Sequence, residues 1–386
     1  MITSPVSPVS KLDGVGTTIF SVIGQLASEF NAINLSQGSP DFPCSEDLRR
    51  QVELAMQANH NQYAPMTGLP SLKEQISLKI KSLHNQNYDP DEEVLITGSA
   101  SQALYSAISS LVKPGDEVIY FEPCFDSYAP IVRLQGAKAV GLKLTVPEFK
   151  IDWDLVKSTL TLKTKMIILN SPHNPSGSVM SQADLDTLAE LIRDTDIIVL
   201  SDEVYEHVIF DGKQHLSVSG HKELAARSVV VTSFGKTFHV TGWRVGCCVA
   251  PAAIMNEIVK IHQFMMFSAD TPMQYAFSEH MKDSNTYLGL SDFYQSKRDL
   301  MIQELASGPF EVLPSSGSFF MLIHYGHLTQ ESDSEVVKQL ICKHGVATIP
   351  LSAFYSDGTD NKLLRLSFSK EQQTIVNGVR ALNTFR

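Results

Sequence analysis

The sequence predicts an α/β fold, with a large domain on a mostly parallel sheet and a smaller α+β domain. Three observations carry this. Short apolar runs rich in β-branched residues occur at 117–121, 166–169, 197–200 and 228–232, almost free of polar residues. Such runs suit strands covered by helices on both faces. Helix-period stretches alternate with them: in 101–112, Leu104, Ala107, Ile108 and Leu111 share one stripe, and 183–193 reads the same way. The chain of 386 residues also exceeds the ~250–300 at which a single core stops growing.

In chain order, 17–27 reads as a short amphipathic helix, its apolar run interrupted by Gly24 and Gln25. A strand at 94–97 leads into the 101–112 helix, and Pro114, Gly115 and Asp116 turn the chain into the next strand. The large domain is placed at 46–280. Residues 281–386 read as helix, strands, helix, strand, helix, with 319–323 and 363–368 the clearest strands. Residues 1–45 are expected to pack with this second, smaller domain. There is no internal repeat, low-complexity tract or long linker.

Composition narrows the function classes. The formal net charge is -11 and the pI about 5.5, a poor match to nucleic acid, which asks for a basic face. The 5 cysteines are odd in number and none forms a C-x-x-C pair, so neither a disulfide framework nor a structural zinc site is expected. Cys247 and Cys248 read as strand packing. No run of ~20 apolar residues is present, and the N-terminus lacks the pattern of a signal peptide. Cytoplasm is the expected location. Gly14-Val15-Gly16 starts like a dinucleotide fingerprint, but the third glycine and the preceding strand are missing. No P-loop, no G-x-S-x-G elbow and no H-E-x-x-H pattern occurs, and no metal ligand is expected. His239 lies near Lys236 but reads as helix packing.

In open parallel sheets, ligands bind beyond the carboxyl ends of the strands. After 94–97 comes Gly98-Ser99-Ala100-Ser101, opening a helix. After 117–121 comes Glu122-Pro123-Cys124-Phe125, and after 166–169 comes Asn170 followed by SPHNPSG at 171–177. SDEVYEH at 201–207 follows the next strand, and Ser233-Phe234-Gly235-Lys236 the last. These ends offer an anion nest, an aromatic face, an amide, an acid with a phenol, and a hydroxyl with an amine. A flat, phosphorylated pyridine aldehyde would use all of them. Each residue alone is ordinary: Asp202 could cap a helix, Asn174 could sit in a plain turn, Arg365 could be a strand cation. Their order and strand-end placement make the case.

On these motifs, together with SQGSPD at 36–41 and SFGKTFHVTGWRVG at 233–246, the chain resembles the class I aminotransferases of pyridoxal-5'-phosphate (PLP) fold type I. NQYAPMTGLPSLKEQI at 61–76 and FEPCFDSYAP at 121–130 are similar to the branch of bacterial methionine aminotransferases and kynurenine/glutamine aminotransferases. The resemblance runs to Arg365 and covers nearly the whole chain. It implies PLP as cofactor, with Lys236 as the Schiff-base lysine and acid/base. It implies Asp202 against the pyridine nitrogen, Asn174 and Tyr205 on the ring hydroxyl, and Phe125 stacked on the ring. Ser99, Ala100, Ser101, Ser233 and Arg244 would hold the phosphate, joined by Tyr63 from the other subunit of a homodimer. Arg365, with Asn174 and the Gly38 backbone, would bind the substrate α-carboxylate. Phe20 and the second subunit's Phe267 would wall the side-chain pocket. Two departures stand out. Ser99 and Ala100 occupy positions where the family often has glycine, which backbone bonding survives if the turn needs no positive φ. Ser101 stands where kynurenine-branch relatives have an aromatic, which would enlarge the pocket.

The resemblance implies transamination of methionine, phenylalanine, tyrosine or leucine with a 2-oxo acid. No second arginine is recognisable as a clamp for a distal carboxylate. The alternative is a PLP-dependent cysteine-conjugate β-lyase using the same residues. A non-enzymatic PLP sensor would carry a DNA-binding module, for which the chain leaves no room.

Overall fold

The computed structural model describes residues 9–386; residues 1–8 of the expected N-terminal segment lie outside the described residues. A seven-stranded sheet forms the larger layer. Its strands run in the spatial order Val94–Thr97, Gly246–Val249, Ser228–Ser233, Ile198–Asp202, Thr164–Asn170, Glu117–Glu122 and Lys138–Lys143. Only Gly246–Val249 runs against its two neighbours; the other pairings are parallel. The expected, mostly parallel sheet is therefore present, and six strands deliver their carboxyl ends to one edge.

The apolar runs behave as two-faced strands. Leu95, Val118, Ile168, Leu200, Val229 and Cys248 face one core, built against the Ala100–Leu111 and Ala252–Met265 helices. Ile96, Ile119, Ile167, Val199, Val230 and Cys247 face the other, with Leu185, Leu188 and Ile192 of the Gln182–Ile192 helix. Successive residues point to opposite faces, so a strand covered on both sides must be apolar throughout. Cys247 and Cys248 pack in the sheet as expected, and all five cysteines are free.

The 101–112 and 183–193 helices appear one residue earlier, at Ala100–Leu111 and Gln182–Ile192. Ser181 and Asp184 form a reciprocal capping box that starts the second. The Lys138–Lys143 strand was not anticipated. It is the sheet's edge, its lysines are exposed, and only Leu142 is buried, so it lacks an apolar run.

A four-stranded antiparallel sheet, ordered Ile349–Pro350, Leu363–Ser367, Phe320–His324 and Glu311–Val312, forms the second layer. The Ile33–Asn34 strand pairs in parallel with Val346–Ala347, which ties the N-terminal segment to this part of the chain. Among the described residues, no helix is long and apolar enough to cross a membrane.

One glycine locks the sheet to the loop that starts the Ala100–Leu111 helix. A Cβ on Gly246 would lie 2.5 Å from the Ala100 nitrogen and 2.7 Å from the Ser99 carbonyl carbon. Both are backbone atoms and cannot rotate away. Gly246→Ala is expected to destabilise the protein by about 2–4 kcal/mol in chemical denaturation. An unchanged midpoint would show that this loop is not packed against the sheet.

Candidate active site

The carboxyl ends of the parallel strands surround a cavity of about 360 Å³. Its wall brings together Phe20, Gly38, Ser99, Ala100, Ser101, Phe125, Asn174, Asp202, Tyr205, Ser233, Lys236, Arg244 and Arg365, residues drawn from almost the full chain. Of the expected site residues, only Tyr63 and Phe267 lie elsewhere. Their rings meet edge to face at 5.3 Å on the surface, Tyr63 82% and Phe267 48% exposed.

Asp202 ends its strand and is buried at the cavity floor. Burial pushes its carboxyl up to about 6, while a hydrogen bond from Tyr128 and the charge of Lys236 pull it back. Tyr128 Oη donates to Asp202 Oδ2 at 2.7 Å, and the Val204 amide donates to Oδ1 at 3.3 Å. Tyr128 was missed in the sequence. It lies within the FEPCFDSYAP motif, but a contact spanning 74 residues leaves no local pattern.

Lys236 sits on the short Phe234–Thr237 helix, one turn past the end of its strand. Its Nζ donates to the Gly38 carbonyl at 3.0 Å. Burial lowers its ammonium to about 8, and the charges of Arg365 and Arg244 push the same way. Glycine is required at position 38, since a Cβ there would fall 2.6 Å from the Phe320 ring.

The SPHNPSG loop is stapled to the Asp202 strand by Asn170. Its Nδ2 donates to the Asp202 carbonyl at 2.9 Å, and its Oδ1 accepts from the Asn174 amide at 2.9 Å. Gly177, at φ 74°, lets the loop pass Ser315 and the Phe320 carbonyl, where a Cβ would clash. Asn174 Oδ1 in turn accepts from Arg365 Nη1 at 2.7 Å, and the Ser36 carbonyl accepts from Nη2 at 2.6 Å. Arg365 is 1% exposed, its guanidinium 3.9 Å from the Phe320 ring, and its buried Nε has no partner. Burial lowers its pKa to about 9.

The loop before the Ala100–Leu111 helix presents the other pole. Ser99 Oγ caps the helix by accepting from the Gln102 amide at 3.2 Å. Ser99 itself holds φ 148°, so this turn does use positive φ, a conformation serine pays strain to adopt. Backbone amides at the helix start, Ser233 and Arg244 all line this side. Gln37, Ser39, Leu104, Val204, Thr241 and Phe320 also line the cavity. Gln37 and Ser39 flank Gly38 in the SQGSPD motif and were within reach of the sequence reading. His239 is not in the cavity; it packs among Phe42, Phe293 and Tyr294.

The electrostatics are one-sided. Lys236, Arg244 and Arg365 find only neutral oxygens: Gly38, Thr241, Asn174 and Ser36. None joins a salt bridge among the described residues. Arg365 is buried, Lys236 half-buried and Arg244 exposed at the rim, and a buried cation without an ion-pair partner asks for an anion. A phosphate at the helix start and a carboxylate at the orphaned Arg365 Nε fit that demand. Asp202, opposite, suits a protonated ring nitrogen. The donor set therefore fits PLP together with an amino-acid substrate.

The sequence matches the family "Aminotransferase class I and II" over residues 31–382. It is 44% identical to a methionine aminotransferase of Escherichia coli over 99% of both chains. It is 32% identical to a probable N-succinyldiaminopimelate aminotransferase of Mycobacterium tuberculosis, over 97% of this chain and 98% of that one. A crystal structure from Escherichia coli, whose reactivity identified a methionine aminotransferase function, superposes with a TM-score of 0.95 at 43% identity, over 98% of this chain and 100% of that one. Fold, cavity chemistry and kinship agree: the chain belongs to the class I and II aminotransferases, PLP-dependent enzymes of fold type I.

Proposed function

We propose that this aminotransferase takes its amino group from methionine and from amino acids with comparably large apolar or aromatic side chains, among them phenylalanine, tyrosine and leucine. The observation that carries this is the surroundings of Arg365. Rings of Phe320, Phe354 and Phe20 lie 3.9, 5.0 and 5.2 Å from its guanidinium. The remaining cavity cations are Lys236 and Arg244. An α-carboxylate on Arg365 thus leaves a side chain among aromatic walls, with no further cation for a second carboxylate. Ser101 is shared with an adjoining groove that also includes Thr18, Ile19 and Tyr105, so the wall is open at this point. The methionine aminotransferase relative supports the same reading.

Bound PLP supplies the carbonyl that receives the amino group and a ring that accepts the electron pair released at the substrate Cα. The chain's own residues do the rest. Arg365, braced by Asn174 and the Ser36 carbonyl, orients the carboxylate as a fork. Lys236 would bond the cofactor, and its amine would move the proton at the substrate Cα. An ammonium lowered to about 8 leaves part of the amine neutral near pH 7–8, as a general base needs. Asp202 keeps the ring nitrogen protonated, and Tyr128 keeps Asp202 ionised. Tyr205, whose phenol is pushed up by burial, stays protonated and donates to the ring hydroxyl, together with Asn174. Phe125 would stack on the ring, and Ser99, Ala100, Ser101, Ser233 and Arg244 would hold the phosphate.

The enzyme acts as a homodimer in this reading. Phe264, Met265 and Phe267 form an exposed apolar strip, 88%, 40% and 48% accessible, with Tyr63 against it. A second copy covers the strip, places Tyr63 on the other subunit's phosphate and adds Phe267 to its pocket. The free thiols agree with a cytoplasmic location.

A panel of amino donors with a common 2-oxo acid tests the specificity. kcat/KM for methionine is expected to exceed that for aspartate by about 10²–10³-fold, since a distal carboxylate would be buried unpaired. Preference for aspartate would overturn the pocket assignment. Tyr128→Phe tests the support of Asp202. The lost hydrogen bond lowers the Asp202 pKa in the native enzyme, so removing it raises that pKa. The acid limb of the kcat/KM–pH profile is expected to move up by about one pH unit. A lower plateau with an unmoved limb would reduce Tyr128 to packing.

A further inference from the structure

We propose that Glu311, His324 and His327 form a binding site for a divalent transition-metal ion, best suited to Zn²⁺, on the edge of the four-stranded sheet. The three side chains present one ligand atom each, all within 4.8 Å of one another. None of them lines the active-site cavity.

The backbone brings them together. Glu311 and His324 face each other directly across the antiparallel Glu311–Val312 and Phe320–His324 pair. Cross-strand partners in such a ladder hold their side chains side by side. His327 follows in the turn after the second strand. That turn is anchored by Tyr325, which is fully buried; its amide donates to the Lys362 carbonyl and its hydroxyl to the Glu331 carbonyl at 3.1 Å.

The hydrogen bonding of His327 points to a cation. Its Nε2 lies 2.8 Å from the Pro309 carbonyl, which can only accept, so Nε2 carries the proton. In the neutral ring, the Nδ1 lone pair then faces Glu311 Oε1 at 3.6 Å. That contact becomes favourable either with a second proton on the ring or with a bound cation between the two groups. A backbone carbonyl on the remote ring nitrogen is also how metal-bound histidines are held. His324 Nδ1 stands 3.1 Å from the other Glu311 oxygen.

The ligand types suit zinc. Ligands about 2.0–2.2 Å from a tetrahedral ion lie roughly 3.4 Å apart, and two nitrogens with one carboxylate oxygen leave the fourth position to water. His324 and His327 stand 3.1 and 3.6 Å from the two different oxygens of Glu311, and one ligand atom from each side chain lies within 4.8 Å of the others, so the three would draw in around an ion. The nearby Lys362 does not compete for Glu311: its amine is engaged by Asp360 at 2.9 Å and by the Gln330 and Glu331 carbonyls. The two histidines are the only salt-bridge partners of Glu311 among the described residues. A bound ion would clip a two-residue edge strand to its neighbour and to the following turn.

The test is calorimetric titration of the PLP-loaded enzyme with zinc chloride, without substrate and in a non-chelating buffer. The expected result is one saturable site per chain, weakened at least ~10-fold in both His327→Ala and Glu311→Gln, with the cofactor absorbance of both variants unchanged. X-ray absorption of the zinc-loaded enzyme should show two imidazole ligands. Absence of a saturable site, the same affinity in both variants, or a sulfur-ligated zinc spectrum would overturn the assignment.

Discussion

The burial of uncompensated positive charge at one edge of the sheet governs this molecule. Arg365 and Lys236 meet in one cavity, with Arg244 at its side, and their protein partners are neutral oxygens. Burial depresses the Lys236 ammonium, and the charges of Arg365 and Arg244 push it the same way. The same arrangement that makes the amine available as a base leaves phosphate and carboxylate as the missing counter-charges. Aromatic faces offset part of the cost on Arg365, since a desolvated cation over a ring gains roughly 2 kcal/mol.

The scaffold makes this arrangement possible by geometry. Six strands of one direction end at one edge, so loops distant in sequence converge there. Small residues then set the close contacts. Gly246 lies under the Ser99–Ala100 backbone, Gly38 passes over Phe320, and Gly177 turns beside Ser315. Asn170 ties the Asn174 loop to the Asp202 strand, which places the amide that braces Arg365 and the buried acid on one unit.

Much of this was legible in the sequence, for a physical reason. Strands covered on both faces must be apolar throughout, so 166–169, 197–200 and 228–232 stood out, and the residues following them pointed to the cavity. What escaped was set by other rules. The Lys138–Lys143 edge strand has an exposed side and no apolar run. Tyr128 acts on Asp202 across 74 residues. The positive φ at Ser99 is invisible where a serine replaces glycine. The surface group of Glu311, His324 and His327 arises from cross-strand register, which no short motif search detects. Tyr63 and Phe267, which the sequence assigned to a second copy's site, lie outside the cavity.

Everything turns on the amine at position 236 being the cofactor's anchor. Borohydride reduction of the enzyme followed by peptide mapping measures this directly. The reduced cofactor is expected on the peptide carrying Lys236, and Lys236→Ala should lose both that adduct and transamination. A cofactor label on any other lysine, or turnover that survives the substitution, would contradict the account.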